Sequence, residues 1–134
     1  MKEKIVHSSG KRKTAVARAT VRSGTGRVTI NTIPLEQYSP KLAQMRIKES
    51  VVLADELAGK VDISVRSFGG GVMSQANAIR LAIARAMVEY SGNEKLEEVY
   101  LAYDRQLLVA DVRRKEASKP NDSSARSKRQ KSYR

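Results

Sequence analysis

The chain has 134 residues, no cysteine, 4% aromatic residues and a formal net charge of +12. This length suits one domain with extensions, and the missing cysteines exclude disulfides and thiolate metal sites. No apolar run approaches the ~18 residues of a transmembrane helix, and the N-terminus lacks the apolar core of a secretory signal. We therefore expect an intracellular protein.

Positive charge is segregated along the chain. Residues 1–27 hold eight basic residues and one acid, residues 28–112 hold nine and eleven, and residues 113–134 hold nine and two. Two cationic ends around a weakly acidic middle predict a directed contact with a polyanion. Nucleic acid is favoured over a membrane surface, which requires an amphipathic basic helix with apolar anchors. We expect residues 1–112 to form a globular RNA-binding domain with a basic N-terminal arm, and residues 113–134 to form an extended basic tail.

Three segments alternate in polarity, as strands do. Residues 15–22 and 27–33 are joined by Ser-Gly-Thr-Gly, which predicts a β-hairpin. Residues 61–66 form the third predicted strand, with Val61, Ile63 and Val65 inward. The outward positions of these strands carry the arginines Arg18, Arg22, Arg27 and Arg66. This second face of the sheet is therefore expected to meet water or a ligand.

Three segments have helical patterns. The first helix is predicted from Pro40 to Ala58, with Ser39 as its N-cap and a potential break near Glu49-Ser50. The second follows a glycine triplet and runs to Tyr90. The third begins near Asn93, with the apolar stripe Leu96, Val99, Tyr100, Tyr103 and Leu107, and residues 107–112 then form an edge strand or an extended connection. The order predicts an α+β fold, a two-layer α/β sandwich with an open sheet and helices on one face.

The segment Ser9-Gly10-Lys11-Arg12-Lys13-Thr14 is similar to a P-loop but lacks two required residues. Ile5 stands where the first glycine is needed, and Arg12 stands where a Ser or Thr would bind Mg²⁺. The cations Lys11, Arg12 and Lys13, continued by Arg18 and Arg22, can instead follow a phosphate backbone. The alternative is a solvated run of charge.

Gly69-Gly70-Gly71 precedes the second helix. Bare N–H groups and the helix dipole there favour an anion, but a tight strand-to-helix turn has the same sequence pattern. Both interpretations stay open. Arg80 and Arg85 on that helix are predicted to be exposed, with contact to RNA as the alternative for each.

Nothing in the sequence assembles a catalytic centre. His7 is the only histidine, and the acids show no recognisable paired spacing. We expect no catalytic residue, no metal ligand and no cofactor, and therefore no enzyme.

The tail combines many cations with Ser, Asn and Gln. Arginine binds phosphate bidentately, lysine acts as a point charge, and Tyr133 could stack on a base. A disordered solubilising tail is the alternative.

Three blocks of sequence resemble the family of the ninth ribosomal protein of the small subunit: residues 9–19, residues 69–87, and residues 111–116 together with the ending Gln-Lys-Ser-Tyr-Arg. The final Tyr-Arg is typical of its archaeal form. The resemblance implies a left-handed β-α-β crossover, binding to small-subunit rRNA in the head, and contact between the tail and P-site tRNA. Neighbouring head proteins are further implied partners, and the implied location is the cytoplasmic ribosome.

The resemblance and the charge pattern together assign site residues. The expected rRNA-binding residues are Lys11, Arg12, Lys13, Arg18, Arg22, Gly69, Gly70, Gly71, Arg113, Arg114, Lys115, Arg126 and Lys128. The expected tRNA-contacting residues are Arg129, Lys131, Tyr133 and Arg134. Family members usually have a glycine-rich stretch where this chain has Pro120-Asn121-Asp122-Ser123-Ser124, whose Asn and Ser still permit a bend.

Two other classes of protein remain as alternatives. A protein subunit of an RNA-processing ribonucleoprotein would share the basic face, but is not expected to carry the glycine-triplet block. A basic DNA-architectural protein usually inserts apolar wedges into the minor groove, and the sequence offers none.

Overall fold

The computed structural model describes residues 3–134 as a five-stranded sheet with helices packed on it. The strands are β1 (Val6–Arg12), β2 (Ala15–Ser23), β3 (Val28–Ile30), β4 (Ile33–Pro34) and β5 (Val61–Phe68). The helices are α1 (Lys41–Leu53), α2 (Val72–Ser91) and α3 (Glu94–Tyr103), with 3-10 turns at Leu35–Gln37, Asp55–Lys60 and Arg105–Leu107. The predicted α+β class with an open sheet is confirmed.

The strand order is β1-β2-β5-β3-β4, so the predicted hairpin between residues 15–22 and 27–33 is wrong. Strand β5 lies between them, antiparallel to β2 and parallel to β3, and α1 lies in the crossover connection from β3 to β5. The loop after β2 bonds to β5 instead of closing on itself, since Gly24 N donates to Lys60 O and Gly26 N donates to Val61 O. The turn residues thus guide the chain past β5.

Strand β1 has no counterpart in the sequence prediction, which expects a basic N-terminal arm here. It forms one edge of the sheet and includes Lys11 and Arg12 of the basic triplet. It pairs antiparallel with β2 across a tight turn in which Lys13 has φ 53°. Its inward positions include Gly10, where an added Cβ would lie 2.3 Å from the carbonyl oxygen of Ala78 on α2. Because glycine, serine and lysine fill this strand, no apolar alternation reveals it.

Helix α1 differs from its prediction at both ends. Pro40 is extended (φ −77°, ψ 163°) and is itself the N-cap, so Ser39 is not, and the helix ends at Leu53. The break at Glu49-Ser50 does not occur, since α1 runs without interruption through Ser50, whose buried hydroxyl donates to Ile47 O. The carbonyl of Ser50 accepts from Tyr100, and burial raises the pKa of that phenol.

Helices α2 and α3 follow their predictions closely. Gly92 ends α2 in the left-handed conformation at φ 61°, and the Asn93 side chain caps α3 by accepting from Lys95 N. In the predicted stripe Tyr100 and Leu107 are buried, but Val99 and Tyr103 are exposed. After Leu107 the chain turns at Leu108 (φ −114°, ψ −28°) and continues without forming the predicted edge strand.

The core lies between the helices and one face of the sheet. Ala15, Ala17, Ala19 and Val21 of β2 point into it with Val61, Ile63 and Val65 of β5, as predicted. Small side chains on α2, including Ala78 and Ala82, let that helix approach the sheet closely. Every outward residue of the central strands is consequently displayed on the opposite face.

Candidate nucleic-acid interface

The face of the sheet opposite the helices is a polar concavity of ≈ 770 Å³. In the register of β2 and β5, Arg18 lies directly opposite Arg66, Thr20 opposite Ser64, and Arg22 opposite Asp62. Its lining includes all four arginines that the strand pattern assigned to this side, Arg18, Arg22, Arg27 and Arg66. We call this surface the arginine face.

Asp62 is the one acid that lines this concavity in the described chain. Its Oδ1 accepts from Thr25 N at 2.9 Å and from Arg27 N at 3.1 Å. These two backbone bonds, helped by the charges of Arg22 and Arg27, hold the pKa of Asp62 below its ordinary value. The carboxylate therefore fixes the loop that carries Arg27, and the arginine face keeps an excess of positive charge.

Several residues of the arginine face belong to β1, whose sequence lacks the apolar alternation that would predict a strand. The register places His7 beside Thr20 and Ser9 beside Arg18. The ring Nδ1 of His7 lies 3.0 Å from the hydroxyl oxygen of Thr20. Only the pairing of β1 with β2 reveals that these side chains extend the concavity.

Two predicted rRNA-binding arginines meet at one carboxylate. Arg12 Nη1 donates to the carbonyl of Arg113 at 3.1 Å, and Arg12 Nη2 lies 3.5 Å from Asp111 Oδ2. Arg113 binds the same carboxylate with two nitrogens, Nη2 at 2.7 Å from Oδ2 and Nε at 3.1 Å from Oδ1. The backbone N–H of Arg113 also donates to Asp111 Oδ1, at 3.0 Å. The side-chain and backbone bonds from Arg113, together with the charge of Arg12, hold the pKa of Asp111 well below its ordinary range. We call Arg12, Asp111 and Arg113 the tail clasp.

Lys11 and Lys13 are exposed on either side of Arg12. Neither lysine has an ion pair among residues 3–134. Of the basic triplet, the two lysines therefore present free charge, and Arg12 is committed to the tail clasp.

The glycine triplet makes a tight turn. Gly69 and Gly70 have φ 76° and 63°, and a Cβ on Gly69 would lie 2.6 Å from Thr14 O. Gln75 Nε2 donates to Gly69 O at 2.9 Å and braces the turn. The turn accounts for Gly69 and Gly70, whereas Gly71 is unobstructed and exposed. Anion binding by the triplet stays a prediction.

The predicted exposure of Arg80 and Arg85 is wrong. Arg80 is only 3% exposed, and its Nη2 lies 2.9 Å from Glu49 Oε2 and 3.0 Å from Asp104 Oδ2. Arg85 is half-buried and donates to Leu108 O and Ser9 O. Both arginines join elements of the fold, and the helical pattern alone gave no sign of their acceptors.

The tail, residues 113–134, has no helix or strand, and nearly all its side chains are exposed. A turn at Asn121, with φ 64° and a bond from Asp122 N to Lys119 O, provides the bend that the sequence permits here. Arg126 Nε lies 3.0 Å from Glu116 Oε2 across this turn, but both side chains are exposed, so the pair contributes little stability. The remaining predicted contacts, Arg114, Lys115, Lys128, Arg129, Lys131, Tyr133 and Arg134, are all exposed.

Metal-binding clusters and membrane-spanning helices are both absent from the part of the chain that the structure describes. Residues 3–134 contain no group of three or more His, Asp or Glu side chains able to hold a metal ion. Among the described helices, none is long and apolar enough to cross a membrane. What the geometry offers is a concave, positively charged sheet surface and an exposed cationic tail.

The chain is similar to known proteins over nearly its whole length. The family model described as ribosomal protein S9/S16 matches residues 10–134. A protein of Methanothrix thermoacetophila, named small ribosomal subunit protein uS9, is 52% identical over 131 residues, covering 98% of this chain and 99% of its own length. A protein of the same name from Methanococcus vannielii is 49% identical over 133 residues, covering 98% and 99%.

Proposed function

The chain belongs to the ribosomal protein S9/S16 family, and from that premise we propose that it binds small-subunit rRNA through the arginine face and its tail. Its archaeal relatives are named as proteins of the small ribosomal subunit. This is a family of structural proteins and not a class of enzyme. The proposed partners are rRNA of the subunit head, P-site tRNA and neighbouring head proteins, and the proposed location is the cytoplasmic ribosome.

The arginine face is the observation that carries the proposal. Arg18 and Arg66 are adjacent across two strands, and Arg22 and Arg27 continue the positive charge along the same surface. Arg18 and Arg22 are four residues apart on one strand face, a separation of about 13 Å, so the cations follow the strands as a spaced stripe. Contacts of this kind bind phosphates and position the protein without reading sequence.

The tail supplies the proposed contact with P-site tRNA. Fully extended, residues 113–134 would reach about 70–80 Å from the body, and their tip carries Arg129, Lys131, Tyr133 and Arg134. Such a segment gains order from the polyanion it neutralises, because it has almost no apolar surface to bury. A terminal cation beside the tRNA backbone would favour retention of tRNA in the P site.

Binding at matched salt concentrations tests the proposal. The full chain should bind a transcript of the 3′ domain of archaeal small-subunit rRNA much more tightly than duplex DNA, and should co-sediment with small subunits after a high-salt wash. Equal affinity for duplex DNA would favour a DNA-architectural protein. Loss from the subunit at high salt would contradict a structural role in the ribosome.

A further inference from the structure

The only phenylalanine of the chain, Phe68, lies at the end of β5 with its side chain 51% exposed. It follows Asp62, Ser64 and Arg66 in the outward alternation of that strand, so its ring lies on the arginine face and not in the core. Its cross-strand neighbour is Val16 of β2. A large apolar ring at a wet, cationic position adds little to folding, because half of its surface stays in water.

One arginine lies beside this ring, and a second lies on the same strand face. The guanidinium carbon of Arg18 lies 5.8 Å from the ring centroid, within the range of a cation–π contact. Arg66 precedes Phe68 by two residues on the same strand face and lies directly opposite Arg18. The ring thus lies beside the guanidinium group of Arg18 and shares its strand face with Arg66, and both arginines can bind phosphate.

The space beyond the ring is open. About half of the Phe68 side chain is exposed. Of the three glycines that follow it, Gly69 and Gly70 pack against Thr14 and Ala15, but a Cβ on Gly71 would meet nothing within 4 Å. No described helix covers this side of the sheet, since α2 packs on the inward positions of β1, β2 and β5. A planar group can therefore approach the exposed side of the ring.

We propose that Phe68 is a stacking site for one unpaired base of the bound RNA, with Arg18 and Arg66 binding the phosphates that flank it. The proposal rests on the proposed rRNA binding and adds an aromatic contact to it. Unstacked bases of RNA loops are commonly received by an aromatic side chain or a guanidinium plane. Because every base has a π-face, this site would accept a base of any identity.

The absence of tryptophan from the chain allows a direct test. In the variant Phe68→Trp a single indole reports on this position. Its emission should be quenched when the 3′-domain rRNA transcript binds, because the indole stacks on a base. Heparin, a polyanion without bases, should bind the same cations and leave the emission nearly unchanged. Tyr103→Trp, at an exposed position on α3 away from the sheet, is the matched control and should respond to neither.

Affinity measurements separate stacking from apolar burial. Phe68→Leu and Phe68→Ala should each weaken binding to the transcript about 5- to 100-fold, as loss of one stacked base does. Their salt dependence should match that of the unsubstituted protein, since no cation is removed. Circular dichroism and thermal unfolding establish that each variant is folded.

The outcomes of these experiments distinguish failure of the stacking site from failure of the proposed rRNA binding. Tight binding of the transcript with no quenching of the indole in Phe68→Trp, or equal quenching by heparin, would overturn the stacking site and leave rRNA binding intact. Quenching that arises only in assembled subunits, with unaltered affinity of Phe68→Ala for the transcript, would assign the ring to a neighbouring protein and also overturn it. Failure of the unsubstituted chain to bind the transcript would remove both proposals.

Discussion

Arg12 and Asp111 lie far apart in sequence, yet Nη2 of the arginine is 3.5 Å from Oδ2 of the carboxylate. Asp111 also accepts hydrogen bonds from two nitrogens of the Arg113 side chain, and the Arg12 side chain donates to the backbone carbonyl of Arg113. The end of β1 is thereby tied to the first residue of the tail. The direction in which the tail leaves the body is set by these three residues, the tail clasp.

Removing the carboxylate should release the base of the tail. Asp111→Asn loses the charge that holds both arginines, so the tail should sample a wider range of directions. The chain has no cysteine, so spin labels can be placed at Glu98→Cys and Ser118→Cys and the distance distribution measured by pulsed electron paramagnetic resonance. Asp122→Asn, which makes the same chemical change farther along the tail, is the control and should leave the width of the distribution as it is in the unsubstituted protein. Equal widths in both variants would show that the clasp does not orient the tail.

The tail clasp should withstand mild acid. The pKa of Asp111 in the folded protein lies below its unfolded value of about 3.9, so its stabilising contribution is complete above pH ~4 and is lost only as pH falls through the lower folded value. The labelled protein should therefore give the same distance distribution at pH 5 as at pH 7. Broadening already at pH 5 would contradict the depressed pKa.

The contact between β1 and α2 depends on Gly10. An added Cβ would lie 2.3 Å from Ala78 O and 2.8 Å from Ala82 N, both backbone atoms that cannot turn aside. Gly10→Ala should lower the free energy of unfolding by about 1–3 kcal/mol, the usual cost of overpacking, measured by urea denaturation. Gly59→Ala is the matched control, because a Cβ there meets nothing within 4 Å. An unchanged denaturation midpoint for Gly10→Ala would mean that β1 is not seated against α2.

Local patterns in the sequence are sufficient for much of this fold. Strand β5 alternates between buried and exposed residues without interruption, and α2 has a continuous apolar stripe ended by Gly92, so both elements follow from the chain alone. The same alternation in β2 places Arg18 and Arg22 on the side opposite the core. The sequence therefore predicts the charge of the arginine face. Its shape depends on the order of the strands, which local alternation does not determine.

Long-range partners account for what the sequence could not predict. The position of β5 between β2 and β3 is decided by pairing across the chain, and no local pattern distinguishes it from the simpler hairpin. Strand β1 lacks apolar alternation because its inward contact is made by Gly10. Arg80 has an ordinary place on an amphipathic helix, and its burial depends on acids from two other segments.

Arg80 should be a major contributor to stability. It joins Glu49 of α1 to Asp104 at the end of α3, and its own side chain is almost wholly buried. Arg80→Met keeps the length of the side chain but leaves Asp104 without its cation and Glu49 with Arg46 alone. We expect a loss of about 2–4 kcal/mol in urea denaturation, slightly below the usual cost of breaking a buried ion pair because both acids retain some exposure. Arg46→Met, which removes an exposed cation 3.6 Å from the same Glu49, should cost less than about 1 kcal/mol.

The effect of Arg80→Met should also depend on pH. Burial alone would raise the pKa of Asp104, but the Gln106 N–H and the Arg80 guanidinium outweigh it, and the net shift is downward. The contribution of Asp104 is then present above pH ~4 and is lost as pH falls through the lower folded-state pKa. The stability difference between Arg80→Met and the unsubstituted protein should shrink below pH 4. A difference that stays constant into strong acid would exclude Asp104 as a partner.

Single charges of the arginine face should be visible in the salt dependence of rRNA binding. The affinity falls as salt rises, and Arg22→Gln and Arg66→Gln should each make the slope of log affinity against log salt shallower by ~0.7–0.9, because one phosphate contact is lost. Arg105→Gln removes an equal charge from the helical side and should leave the slope unchanged. Equal slopes in all three variants would show that the RNA does not lie on this face.

The tip of the tail should act on tRNA and not on assembly. Removing residues 131–134 deletes Lys131, Tyr133 and Arg134 but no residue of the core or of the tail clasp, so subunits should incorporate the shortened chain normally. The two lost ion pairs, of up to ~1 kcal/mol each, alone predict P-site tRNA dissociation faster by up to about thirtyfold, measured as an off-rate from reconstituted subunits. The control is the double variant Lys41→Gln, Lys95→Gln, which removes the same charge from the helical side. If both variants accelerate dissociation equally, the effect belongs to net charge and the tip has no contact of its own.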